Sequence, residues 1–169
     1  IGGLDGSGTA ALGAHDLTLN RASGTSEFAG RLTGTGNLVK DGSYTQTLRG
    51  NVAQGFTGST QVNAGSLMLD GTTLAGAVTI RSGANLGLLG DSSIGGLDGS
   101  GTAALGAHDL TLNRASGTSQ FAGQLTGTGN LIKDGSYTQT LRGNVNKEKK
   151  EKNEMNNIQE SASRKIKKK

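Results

Sequence analysis

Apolar residues fall in short alternating clusters along this chain rather than in long runs. Leu-x-Leu occurs at Leu17/Leu19, Leu67/Leu69, Leu86/Leu88 and Leu110/Leu112. Such alternation puts two residues on one side of a strand and the middle one on the other. A second pattern sets a β-branched residue three positions before Gly, at Val39/Gly42, Val62/Gly65, Ile80/Gly83 and Ile132/Gly135. Its first two steps are 23 and 18 residues, and Leu67 to Leu86 is 19. Asp41-Gly42, Asn63-Ala64-Gly65, Asp70-Gly71, Ser82-Gly83 and Gly90-Asp91 stand between the clusters as turn formers.

A long repeat underlies this fine pattern. Residues 94–145 repeat residues 1–52 at an offset of 93, with three differences: Glu27/Gln120, Arg31/Gln124 and Val39/Ile132. Residues 53–93 occur once, so 1–93 is one unit and 94–145 is a partial second unit. Short strands at a step of about 20 residues cannot each bury their apolar side chains alone, but stacked rungs can. The expected fold is therefore all-β, a right-handed parallel β-helix of about seven rungs, with Leu stacked on Leu and Val on Ile. A β-sandwich is the competing fold, but it favours hairpins and turn signals every 8–12 residues or so.

Composition removes several functions. The 169 residues include no Cys, so disulfide scaffolds, thiolate metal sites and cysteine nucleophiles are excluded. Five aromatic residues are too few for a base-stacking platform. The net charge of +4 misleads, because residues 1–145 carry 8 Lys/Arg against 9 Asp/Glu and residues 146–169 carry 9 against 4. The body thus shows no basic nucleic-acid footprint. No apolar run reaches the ~20 residues of a membrane-spanning helix, and no signal peptide is recognisable at Ile1. The chain reads as a piece of a longer protein or a mature product.

Residues 34–71 resemble the autotransporter-associated β-strand repeat, also called the passenger-associated transport repeat. Gly34, Gly36, Leu38, Lys40 and Gly42 match the opening of that pattern. Leu48, Gly50 and Asn51 match its centre, and Gly58, Thr60, Val62, Gly65, Leu67 and Leu69 its close. The second copy matches through Gly127, Gly129, Leu131, Lys133, Gly135, Leu141, Gly143 and Asn144. Tyr44 and Gln46 depart from it, and a buried Gln needs partners for its amide. The resemblance implies a passenger of a type V-secreted surface protein of a Gram-negative bacterium. It also implies an outer-membrane β-barrel translocator as partner, and a cell-surface or secreted location. The matched residues are then structural, with no cofactor and no catalysis.

The search for chemistry yields little. There is no Gly-x-Ser-x-Gly elbow, no phosphate loop and no calcium-binding repeat. Asp5, Asp41, Asp70 and Asp91 sit beside Gly and read as turn residues, with an interloop calcium ion as the minor alternative. His15-Asp16 and His108-Asp109 lack a placed nucleophile and read as polar corners.

The repeat breaks after Gly143-Asn144 into a Lys-rich stretch, residues 146–169. A truncated reading frame with an unselected tail, disordered or partly helical, is the expectation. Met155, Ile158, Ala162 and Ile166 form a thin helical stripe, so contact with a membrane surface or anionic polymer is the alternative. The expected function is a β-helix stalk supporting adhesion or display toward host or sister cells. A polysaccharide-acting β-helix enzyme is the alternative among catalysts.

Overall fold

The computed structural model describes residues 1–147. The expected disordered or helical tail lies outside these residues from position 148 onward. The chain winds as a parallel β-solenoid with three strand positions in each of seven turns. The first two turns are β1 (Thr9–Ala11), β2 (Leu17–Asn20) and β3 (Thr25–Phe28), then β4 (Arg31–Thr33), β5 (Leu38–Asp41) and β6 (Thr45–Arg49). The third has residues 50–58 in irregular turns at its first position, then β7 (Thr60–Val62) and β8 (Ser66–Asp70). In the fourth and fifth, β9 (Thr73–Ile80) and β11 (Ser92–Gly99) each span two positions, and β10 (Asn85–Leu88) and β12 (Thr102–Ala104) fill the third. The last two are β13 (Leu110–Asn113), β14 (Thr118–Phe121) and β15 (Gln124–Gly127), then β16 (Leu131–Asp134), β17 (Thr138–Leu141) and β18 (Asn144–Lys147).

Every ladder among the described residues is parallel, which rules out the hairpin-built sandwich. Register partners lie 17 residues apart at Asn85 and Thr102, and 22 apart at Thr9 and Arg31. One sheet runs unbroken as β3-β6-β8-β10-β12-β15-β18. A second runs β2-β5-β7-β9-β11 and then forks, because the first half of β11 carries β13 and β16 while Gly99 at its end pairs with Phe121 of β14. A short sheet, β1-β4, completes the first turns. Inward positions form columns, such as Gln46-Leu67-Leu86-Ala103-Leu125 and Leu48-Leu69-Leu88. Neighbouring residues of one strand face opposite sides, so each turn contributes only a few inward apolar side chains. The core is therefore a narrow continuous file.

Two stacking expectations are corrected. The four Leu-x-Leu pairs do not share one column. Leu67/Leu69 and Leu86/Leu88 stack directly, but Leu17/Leu19 pair with Leu38/Lys40 and Leu110/Leu112 with Leu131/Lys133. The 93-residue offset explains this. It advances the chain fourteen strand positions, which at three per turn is four and two-thirds turns. The second copy is thus rotated by one face: β12, the counterpart of β1, joins the sheet that holds β3.

The second correction is partial: Val stacks on Ile in the core at Val62 and Ile80, but Val39 and Ile132 of the same pattern do not join them. Val39 is only half-buried and Ile132 is 42% exposed, whereas Lys40 faces inward between Leu19 and Val62. The turn of residues 41–44 is one residue longer than the turn of 63–65, while both its flanks stay in register with the next rung. Counting back from Gly42 therefore lands on the wrong side of the strand.

Corners are built from backbone. A Cβ at Gly36 would lie 2.0 Å from the His15 carbonyl oxygen, and one at Gly58 would lie 1.8 Å from that of Gly36. Main chain stacks directly on main chain there, so only Gly fits.

Candidate interaction surface

The strongest polar feature lies inside the stack. Lys40 is fully buried. Its Nζ donates to the carbonyl oxygens of Gly42 at 2.8 Å and Ala64 at 2.8 Å, and sits 4.2 Å from the Tyr44 ring centroid. Cation and ring face attract each other, and the carbonyls replace lost water. Desolvation lowers the ammonium's pKa to about 8, with Asp41 opposing. The Ala64 carbonyl belongs to the following turn, so this lysine ties two turns together. Gly65 is required beside it: its φ is 69°, and a Cβ there would come within 2.7 Å of Nζ.

Gln46, a departure from the repeat pattern, is also buried. Its amide donates to the Leu4 carbonyl at 2.8 Å, and its Oε1 accepts from the Leu4 N–H at 3.0 Å and the Tyr44 hydroxyl at 3.0 Å. The expected amide partners are thus chiefly backbone and Tyr44 across the lumen. Gln139, Tyr137 and Leu97 repeat the arrangement. Burial raises the Tyr44 pKa to about 12, with Asp5 adding and Arg21 opposing.

Outward polar residues form ladders between turns. Asp16 Oδ1 accepts from the Asn37 N–H at 2.8 Å, and Asn37 Oδ1 accepts from the Ser59 hydroxyl at 2.7 Å. Arg49 lies between Glu27, at 2.7 Å, and Asp70, with Arg49 and Glu27 about half exposed. Single residues do not announce such ladders, but their spacing does: Asp16, Asn37 and Ser59 are 21 and 22 apart, as are Asp70, Arg49 and Glu27 read backward. Asp5 and Asp91 accept backbone N–H groups of the adjacent turn, Glu27 and Asp109, rather than of their own turns. His108 Nδ1 lies 3.7 Å from Asp91, at an exposed corner. Among the described residues no three His, Asp or Glu side chains gather as a metal site would require. Among them, too, no helix is long and apolar enough to cross a membrane.

The motif residues divide by role. Leu38, Lys40, Leu48, Thr60, Val62, Leu67 and Leu69 face inward and are buried. Gly34, Gly42, Gly50 and Gly65 turn with positive φ, while Gly36 and Gly58 occupy the close corners. Asn51 is exposed in the irregular stretch before Val52. These residues are spread along the stack, from β5 to β8.

No protein-family profile matches the chain, and no solved structure matches it. Among curated proteins, the adhesin BmaC autotransporter of Brucella suis biovar 1 (strain 1330) is 39% identical over 75% of this chain. The chain is a relative of an autotransporter adhesin. It spans 4% of that protein's length. The relationship and the β-solenoid agree with the passenger-repeat resemblance read from residues 34–71. That relative is an adhesin by name.

Proposed function

We propose that this chain is a segment of an autotransporter passenger that acts as a β-solenoid stalk at the bacterial surface, supporting adhesion or display. The observation that carries this reading is the coincidence of an adhesin relative with a fold whose outward polar groups are bonded to neighbouring turns rather than gathered around a ligand. In this reading residues 1–93 are one building unit and 94–145 part of the next. The motif residues from Gly34 to Leu69 serve the stack and no chemistry. The partner in export is an outer-membrane β-barrel translocator of the parent protein, and contacts with host or sister cells are broad and weak. No catalysis and no cofactor belong to the segment.

The test grafts the 169-residue sequence between a secretion signal and an autotransporter barrel, in a bacterium that otherwise does not adhere. Surface labelling, a protease-resistant core and increased attachment to epithelial or sister cells are expected. Periplasmic retention would refute the stalk reading, and full display without added attachment would refute the adhesive one.

A further inference from the structure

We infer that the edge formed by β16 and β17 is a docking site for a strand–turn–strand segment with the sequence of residues 57–71, supplied by another polypeptide. The inference goes beyond the stalk reading and needs neither export nor adhesion to hold.

The first copy displays the occupant already seated. Residues 38–48 and 131–141 are identical except at Val39/Ile132. On the first set lie β7 and β8, in register Leu38 to Thr60, Lys40 to Val62, and Thr45 to Ser66 through Leu48 to Leu69. The Leu38 N–H donates to the Ser59 carbonyl at 3.0 Å, and the Asn63 N–H donates to the Lys40 carbonyl at 2.8 Å. The Ser66 N–H reaches the Tyr44 carbonyl at 3.2 Å. Lys40 Nζ completes its shell with the Ala64 carbonyl.

The second set is held in the same form from behind. β16 lies on β13 as β5 lies on β2, and β17 lies on β14 as β6 lies on β3. Tyr137 and Gln139 make the same lumen bonds as Tyr44 and Gln46. The front differs. Among the described residues, β16 ends its sheet path and β17 pairs with β14 alone. Ile132 is 42% exposed, and Lys133 is exposed, with its Nζ on the Gly135 carbonyl at 2.9 Å and 4.8 Å from the Tyr137 ring centroid. The counterpart of the Ala64 carbonyl is what the docked segment would bring. Main-chain pairing at an open edge supplies affinity, and side-chain fit supplies choice. The fit is already specified: Val62 and Leu67 toward the lumen, and Gly65 against the ammonium.

The experiment titrates a synthetic peptide of residues 57–71 into the full 169-residue chain. Saturable shifts of the Ile132 methyl and Lys133 ε-CH2 NMR signals are expected. Exchange of the Leu131 amide, which would donate to the peptide's Ser59 carbonyl, should slow at least about tenfold. A peptide carrying Leu67→Asp should not bind. One carrying Gly65→Val should bind at least about tenfold more weakly, because its side chain meets the lysine. The inference fails if no saturable shift appears at Ile132 and Lys133, or if both altered peptides bind as well as the parent. It also fails if the Leu131 amide of the free chain is already as protected as that of Leu38, since the edge would then be covered.

Discussion

Residues 38–48 and 131–141 are nearly the same sequence in two settings. In the first, another turn is laid over it; in the second, none of the described residues covers it. Leu38, Lys40 and Gln46 are completely buried in the first setting. In the second, Leu131 remains buried, Gln139 becomes half-buried and Lys133 becomes exposed. The backbone hardly notices, because its ladder to the preceding turn is already complete. The side chains that notice are those whose partners arrive one turn later. In a solenoid, residue identity sets what a position can do, and the neighbouring turn sets whether it does so.

The largest expected effect should not distinguish the copies at all. Gly36→Ala and Gly129→Ala each place a Cβ about 2 Å from a carbonyl oxygen of the preceding turn, His15 in one case and His108 in the other. Each should cost about 3 kcal/mol or more, by forcing the backbones apart. Denaturant unfolding of the two variants measures this. A penalty at Gly36 alone would show that the corners also depend on the following turn.

Lysine should separate the copies clearly. Lys40→Ala removes a buried ammonium and strands the Gly42 and Ala64 carbonyls, at a cost of about 2–4 kcal/mol. Lys133→Ala should cost under about 1 kcal/mol, because water replaces the lost donor. The pH dependence carries the same signature. The folded pKa of Lys40 is about 8 against the ordinary 10.5, so the unfolded chain binds more protons across that window and stability rises with pH there. Tyr44 works the other way. Its folded pKa of about 12 exceeds the ordinary 10.0, so the fold holds more protons above pH 10 and stability falls. Unfolding free energy measured against pH should therefore rise toward about pH 10 and then decline. Lys40→Met should flatten the rising limb.

Thr60 offers a gain. Its buried Oγ1 has no hydrogen-bond partner among the described residues, and it stands in the column between Leu38 and Val78. Thr60→Val should raise stability by about 1 kcal/mol in thermal unfolding, and a loss would reveal a partner for the hydroxyl. The smallest effect concerns a position where the copies differ. Glu27→Gln installs the residue of the second copy and breaks the ion pair with Arg49. Both side chains are about half exposed, so the cost should be small, the least of these variants, and shrink further in salt.

Much of the architecture is legible in the sequence. Leu67-x-Leu69 and Leu86-x-Leu88 stack as their spacing suggests, and the step of about twenty residues gives seven turns. Gly positions marked the turns, because a positive φ leaves few alternatives to Gly. What failed was register. Val39 looked like the counterpart of Val62, yet the turn after Lys40 holds one residue more than the turn after Val62, and it is Lys40 that stands in register with Val62. A strand has period two, so a count back from Gly that is one residue off names a side chain on the opposite face. The polar ladders were hidden for a related reason, since Asp16, Asn37 and Ser59 become neighbours only after winding.

The sequence by itself determined the class of fold, the number of turns and the family resemblance. All three rest on local alternation and on repetition, which are properties of the chain as a string. Only the tertiary structure decided that the second copy is turned by one face, that a lysine lies in the core, and that one surface is sealed while, among the described residues, its near-twin is left uncovered. Those outcomes depend on how 93 residues divide among turns of unequal length and on which segment is laid down next. Winding a chain converts small differences in turn length into a choice of face, and no short window of sequence contains that sum.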